Sequence, residues 1–325
     1  MVKLKPDNKL SGKKRAVYWI QLILRNSANC CYNGARRKVV LKPKNGPKCP
    51  FTRYLLWKNL SMHPMLNIAV RAARQAGSLI LRSLQHVEHL QITTKGLNDY
   101  VSDVDRLAEQ EIIGVIKKAY PEHAIMAEES GDTGADDTVW IIDPLDGTTN
   151  FLHGFPHYCV SIAVRIKGRV EHAVIFDPLR DELFTATRGA GAQLNDRRLR
   201  VSKRKDLNGA LIATGFPFKY PQHHAAYLAM FSNVLPKVTD MRRTGSAALD
   251  LAYVAAGRVD GYWEIGLENW DLAAGSLLVE EAGGTVTDFS GRDQLFDKGH
   301  VIAAGLSLHK HLQAAITPHI SEPLK

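Results

Sequence analysis

Residues 138–142, TVWII, put an unbroken run of four apolar side chains behind a β-branched threonine and end directly on Asp143 in the sequence IIDPLDGTTNF. A short run of this kind, rich in β-branched and aromatic side chains and closed by a proline turn, reads as a buried strand. A buried strand needs elements packed around it, so the chain must build layers of sheet and helix. It also carries a carboxylate out of the interior, where a bare negative charge is costly unless something pairs with it. A hard divalent cation is such a partner.

Around that strand, helical and strand-like stretches alternate. Leu66, Val70, Ala73, Gly77, Ile80, Leu84 and Val87 recur at steps of four and three after Pro64, which predicts an amphipathic helix over 64–87. A second helix is expected after Ser102, with Val104, Leu107, Ala108, Ile112, Val115 and Ile116 inward, ending before Pro121. Strands are expected at 160–166, 170–176, 182–186, 211–214, 261–265, 285–288 and 301–304, and helices at 222–235, 246–256 and 271–282. Interleaved over ~260 residues, these define an α/β (α+β layered) fold, as one large unit or two tightly joined halves.

Charge separates this body from what precedes it. The 325 residues carry 42 Lys+Arg and 33 Asp+Glu, but fifteen of the bases and a single acid, Asp7, fall in residues 1–61. That segment nets +14, and the remainder, with 27 bases and 32 acids, nets −5. The total of +9 is therefore no sign that the body binds nucleic acid. With no sustained period and with Pro6, Pro43, Pro47 and Pro50, residues 1–61 are expected to be a disordered basic extension, or an artefact of start-site choice with translation beginning at Met62 or Met65. Residues 62–325 are the expected catalytic domain.

Cys159 is the only cysteine of the body, which points to a reducing, cytoplasmic compartment, and Cys30, Cys31 and Cys49 of the extension match no zinc spacing. The longest N-terminal apolar run, 16–24, has nine residues and is broken by Gln21. A membrane span needs roughly 20. Arg25 and Asn26 stand where small residues precede a cleavage site, so neither insertion nor export is expected.

A Walker A loop, a G-x-G-x-x-G turn, G-x-S-x-G, H-E-x-x-H and C-x-x-C are all missing from the sequence, so nucleotide-fuelled, hydride-transfer, triad-hydrolase and zinc-protease readings lose their usual supports. Present instead are carboxylates beside turns: Glu128 and Glu129 in AIMAEESG, Asp143 and Asp146 in IIDPLDGTTNF, and Asp271 in ENWDLAAG. Pro144 sets a turn after Asp143, so Asp146 can fold back toward it and the Leu145 carbonyl can face the same ion. Asp143 can bridge two cations, with Glu128 completing one shell and Asp271 the other. All-oxygen ligation suits Mg²⁺ or Mn²⁺, and two such ions ~3.5–4 Å apart form a clamp for phosphoester hydrolysis. A helix starting at Gly147-Thr148 would aim free N–H groups at a phosphate, with no Cβ at Gly147 to block approach and the Thr148 hydroxyl free to orient a metal-bound water. Singly, each feature is ordinary. Asp-Gly is a turn pair, Glu128-Glu129 a solvated face, Asp271 a helix N-cap, and Asp105, three residues after Ser102, a capping-box partner. Their ordered set carries the inference of a phosphate ester as substrate.

At these residues the sequence resembles the inositol monophosphatase family of Mg²⁺-dependent, lithium-sensitive phosphomonoesterases. EES, DPLDGTTNF, WDLAAG and EEAGG look like its signature, and RRTGSAALDLAYVAAGRVDGYWEIG is closest to its bacterial SuhB-type members. The likeness runs from about Met62 to the C-terminus and implies an α/β/α/β/α sandwich. By resemblance, Glu128, Asp143, the Leu145 carbonyl, Asp146 and Asp271 are ligands for two or three Mg²⁺ ions, with Mn²⁺ as a substitute, and Asp146 and Asp271 also face the substrate. Gly147 and Thr148 match phosphate-contact and water-orienting positions. Gly245, Ser246, Ala247 and Glu264 match the wall that holds inositol hydroxyls, Lys95 a loop closing over the metals, and Asp105 a nearby outer-shell acid. Glu268, Arg242 and Arg243 are expected to be solvated or interface side chains.

The resemblance implies hydrolysis of inositol 1-phosphate to inositol and phosphate by metal-activated water, with Glu128, Thr148 and Asp143 catalytic. Two alternatives stay open: a phosphatase for another small ester (a sugar phosphate, histidinol phosphate or nucleotide 3′-phosphate), and a ribosomal RNA transcription antitermination factor associated with RNA polymerase or its transcription complex. A homodimer with no membrane association completes the expectation.

Overall fold

Pro64 opens helix α1 (Pro64–Ser83), whose face of Leu66, Ala69, Ala72, Ala73, Ala76, Gly77 and Ile80 is buried; Leu66, Ala73, Gly77 and Ile80 belong to the predicted stripe, while Val70 and Leu84 are half-buried and the helix ends at Ser83. The computed structural model describes residues 62–84, 92–96 and 99–324; the basic extension 1–61 and the Lys95 side chain, both subjects of expectations above, lie outside the described parts. An antiparallel hairpin, β1 (Ile92–Gly96) and β2 (Asp99–Ser102), leads into α2 (Asp103–Ala119), where Ser102 and Asp105 close a capping box. The chain then builds β3 (Ala124–Ala127), β4 (Gly131–Thr133) and β5 (Thr138–Asp146). A short helix α3 (Thr148–Leu152) precedes β6 (Cys159–Ile166), β7 (Arg169–Asp177), β8 (Glu182–Thr187), β9 (Gly191–Leu194) and β10 (Arg197–Arg198). These strands form an eight-stranded sheet in the order β10-β9-β8-β7-β6-β5-β3-β4, in which β3 and β5 alone are parallel.

The second half supplies β11 (Leu211–Thr214), α4 (His224–Val234), β12 (Asp240–Arg242), α5 (Ala247–Ala255), β13 (Gly261–Glu264) and α6 (Asn269–Glu281). It closes with β14 (Thr285–Thr287), α7 (Leu295–Lys298), β15 (Val301–Ala304) and α8 (Leu306–Ile316). Its strands form a five-stranded sheet in the order β12-β11-β13-β15-β14. Helices α1 and α2 cover one face of the large sheet, α5 and α6 lie between the two sheets, and α8 covers the outer face of the small sheet with α4 packed against it. The layers therefore run α/β/α/β/α, as the family resemblance implied.

Three apolar cores fill the spaces between layers, and strand alternation assigns residues to them. On β5, Trp140 and Ile142 share a core with Ile80 and Ile112 under α1 and α2, while Ile141 turns the other way into the core that holds Leu251 of α5 and Leu277 of α6. On β13, Tyr262 faces that central layer and Trp263 the outer core with Tyr227 and Leu312. Gly275 lets the two central helices approach closely: a Cβ there would lie 2.5 Å from Cβ of Leu251.

Two boundaries differ from expectation in ways that matter for the site. Strand β5 does not stop at Ile142 but continues to Asp146, with its pairing to β6 shifted between Asp143 and Asp146. Pro144, which has no N–H for the ladder, falls inside that irregular stretch. Helix α6 begins two residues before Asp271, so Asp271 stands inside its first turn instead of at the cap.

Candidate active site

Parallel pairing of β3 and β5 sets Ala127 opposite Ile142, so the residues that follow, Glu128 and Asp143, come side by side. The Glu128 N–H donates to the Ile142 carbonyl at 3.2 Å, which fixes this register. Alternation along β5 turns Asp143 to the same side as Ile141, the side covered by α6. Asp271 sits in the first turn of α6, where its Oδ2 accepts the Glu268 N–H at 2.8 Å. Asp146 is held from the N-terminus of α5: its Oδ2 accepts the Ser246 hydroxyl at 2.6 Å and the Ala248 N–H at 2.7 Å. One carboxylate oxygen from each of Asp143, Asp146 and Asp271 lies within 4.8 Å of the others.

Such crowding is unfavourable for anions alone. Burial, then the charges of Glu128, Asp146 and Asp271, push Asp143 well above the ordinary carboxylate range. Asp271 is pushed well up by desolvation and by Asp146 and Glu128. Asp146 is raised by burial, against which the Ser246 and Ala248 hydrogen bonds act. Carboxylates that repel one another and present only oxygen donors fit a hard divalent cation, whose charge removes the repulsion.

The turn after Asp146 is shaped for close approach. Gly147 adopts φ +100°, and a Cβ there would meet the His157 carbonyl at 3.0 Å and the Gly245 carbonyl at 3.3 Å, so glycine is required. Helix α3 starts at the next residue, with N–H groups that have no intrahelical partner. The Thr148 hydroxyl lies 2.7 Å from Asp105 Oδ1 and 3.1 Å from the Leu145 carbonyl. Asp105 Oδ2 in turn accepts the Ser102 N–H at 2.8 Å and the Ser102 hydroxyl at 2.6 Å. Asp105 is thus both the capping-box acid and the partner of Thr148, a contact across 43 positions that no local pattern could reveal.

Glu128, Asp143, Leu145, Asp146, Gly147, Thr148, Gly245, Glu264 and Asp271 all line one cleft of about 500 Å³. Ser246 and Ala247, also expected at the substrate, are buried behind that lining, and the Ser246 hydroxyl is directed to Asp146. Glu264 is raised to about 7 by desolvation and accepts a hydrogen bond from the Tyr262 hydroxyl. A Cβ at Gly215 would fall 1.9 Å from Cδ of Glu264, so the bare glycine leaves that carboxylate its place. The sequence did not single out the aromatic rim of Phe216, Phe218 and Tyr220, nor Asn150, whose Nδ2 donates to the His157 and Thr244 carbonyls at 2.7 and 2.9 Å. The FPFKY run was the available signal. Arg242 is ion-paired to Asp240 outside the cleft, whereas Arg243 is exposed and lines it.

The layered sandwich and its carboxylate cluster define a class, and the chain belongs to the inositol monophosphatase family: the family's sequence profile matches residues 61–323. It is 55% identical over 271 residues to the Nus factor SuhB of Pseudomonas aeruginosa, which covers 81% of this chain and 100% of that protein. Among solved structures, the extragenic suppressor protein suhB from Bartonella henselae is 48% identical with a TM-score of 0.76, covering 78% of this chain and 98% of that one. Inositol monophosphatase from Anabaena is 39% identical with a TM-score of 0.70, covering 78% and 95%.

Proposed function

We propose that this chain is a Mg²⁺-dependent, lithium-sensitive phosphomonoesterase acting on inositol 1-phosphate, with residues 62–325 as its catalytic domain and the basic segment outside it. The observation that most supports this reading is the approach of Asp143, Asp146 and Asp271 to within 4.8 Å beside the Gly147 turn. Together with Glu128 and the Leu145 carbonyl, they would hold two or three Mg²⁺ ions, which when bound supply charge neutralisation and Lewis acidity at a phosphoryl group. The N–H groups opening α3 orient that phosphoryl group. Thr148 donates its proton to Asp105, leaving its oxygen lone pairs to accept from the attacking water and aim it in line. Glu128, beside Asp143, takes the water's proton. Glu264 accepts from a hydroxyl of the leaving alcohol, and its hydrogen bond from Tyr262 keeps it aimed. The test is phosphate release from inositol 1-phosphate by the purified protein: release with Mg²⁺ that stops on chelation is expected, and no release under any divalent cation would remove the proposal. Other small phosphate esters use the same carboxylates, so a panel including histidinol phosphate and a nucleotide 3′-phosphate ranks them.

A second reading is favoured by the name Nus factor carried by a relative 55% identical. In it, a homodimer of this chain serves a transcription complex containing RNA polymerase. Rescue of a deletion strain by Asp143→Asn supports that role, and loss of rescue supports catalysis.

A further inference from the structure

One buried acid outside the cleft is tied to it through the backbone. Glu109 lies on α2, one turn after Asp105, so the two side chains rise from the same face of the helix. It is 3% exposed, and a carboxylate so placed is costly unless it accepts hydrogen bonds. Glu109 Oε2 accepts the Glu129 N–H at 2.8 Å, a contact across 20 positions. The Glu128 N–H donates to the Ile142 carbonyl at 3.2 Å, so the peptide groups on both sides of Glu128 are held, one by β5 and the other by α2. Peptide groups are planar, and holding the two that flank a residue fixes its φ and ψ, and with them the direction in which its side chain leaves the backbone.

Asp105 meanwhile holds the Thr148 hydroxyl at 2.7 Å. Successive turns of one helix thus hold the two groups that handle the attacking water: Asp105 the hydroxyl that aims it, and Glu109 the backbone of the carboxylate that takes its proton. We infer that Glu109 is a positioning residue for the hydrolysis, acting through the Glu129 N–H on Glu128, so that α2 sets the spacing between Glu128 and Thr148. The inference rests on the phosphatase reading and adds to it a residue that does not line the cleft. What Glu109 supplies is an acceptor in a fixed place. Displacing a reacting group by about 1 Å can cost on the order of 10²-fold in rate.

Glu109→Met, which keeps the length of the side chain and removes the acceptor, tests this on inositol 1-phosphate with Mg²⁺. kcat falls about 10- to 100-fold while KM changes less than about threefold. Glu109→Gln, whose amide oxygen accepts the same N–H, keeps kcat within about threefold of wild type, and Glu111→Gln on the exposed side of α2 leaves it unchanged. In a Glu128→Gln background the Glu109→Met step costs less than about threefold, because the group it acts through is gone. Without substrate, the Mg²⁺ concentration that half-saturates the rise in Tm increases several-fold in Glu109→Met and stays in place in Glu109→Gln. If Glu109→Met does not fold, Glu109→Asp, which keeps the charge but is one methylene short of the N–H, gives the same readouts. Wild-type kcat in Glu109→Met, a loss in Glu109→Gln as large as in Glu109→Met, or an undiminished loss in the Glu128→Gln background overturns the inference while the phosphatase reading stands. If wild type releases no phosphate, that reading falls and the Mg²⁺ midpoint decides alone: a midpoint that does not move in Glu109→Met overturns the inference.

Discussion

Thr148 Oγ1 and Asp105 Oδ1 are 2.7 Å apart, joining the turn of the carboxylate cluster to the first turn of α2. The contact fixes where the Thr148 proton points and leaves its lone pairs to the cleft. Thr148→Val should lower kcat about 10²-fold with little change in KM, while Thr148→Ser keeps most of the activity. Steady-state kinetics on inositol 1-phosphate check this. Equal kcat in the valine variant would mean that the hydroxyl does not orient water.

Tyr262 donates to Glu264, whose pKa stands at about 7, and that hydrogen bond favours the charged form. Removing it in Tyr262→Phe raises the Glu264 pKa further. The acidic limb of the kcat/KM profile for inositol 1-phosphate, near pH 7 in wild type, should therefore move to higher pH. A limb that stays in place would show that Glu264 does not act on the substrate as an anion.

Asp143 and Asp271 have folded-state pKa values raised above their unfolded ones, so their contribution to stability is present at acid pH and is lost as pH rises through the raised values. A divalent cation favours their ionised forms. Mg²⁺ should raise Tm more at pH 8 than at pH 5, with about 2.7 kcal/mol of stabilisation at a hundredfold excess over Kd. Thermal melts at both pH values measure the difference, and a shift that is equal or larger at pH 5 would contradict it.

Gly275 sets the distance between α5, which holds Asp146, and α6, which carries Asp271. Gly275→Ala forces a methyl to within 2.5 Å of Leu251 and should cost about 1–3 kcal/mol in overpacking. Urea unfolding should give a lower midpoint with an unchanged slope.

What the sequence made legible follows from the range of each interaction. The strand that carries Asp143 and the start of α1 follow from local periodicity, although the strand runs on to Asp146 and the helix ends at Ser83. The hairpin β1–β2, strand β3 and helix α8 were not anticipated, because each is short or has apolar residues too few to set a period. Glu128 could be named from its motif, but its place beside Asp143 depends on the parallel register of β3 on β5. Asp105 with Thr148, Gly215 under Glu264, and Arg243 over Phe216 and Phe218 are contacts between distant segments, and only the fold shows them.

The central claim is that the carboxylate cluster serves phosphoester hydrolysis, and Asp143→Asn tests it most directly. With Mg²⁺ and inositol 1-phosphate, kcat should fall by at least about 10²–10³-fold, as when a group stabilising developing charge is removed. Without Mg²⁺ the variant should melt no lower than wild type, because one of the repelling buried charges is gone. A folded Asp143→Asn protein that releases phosphate at the wild-type rate would contradict the account.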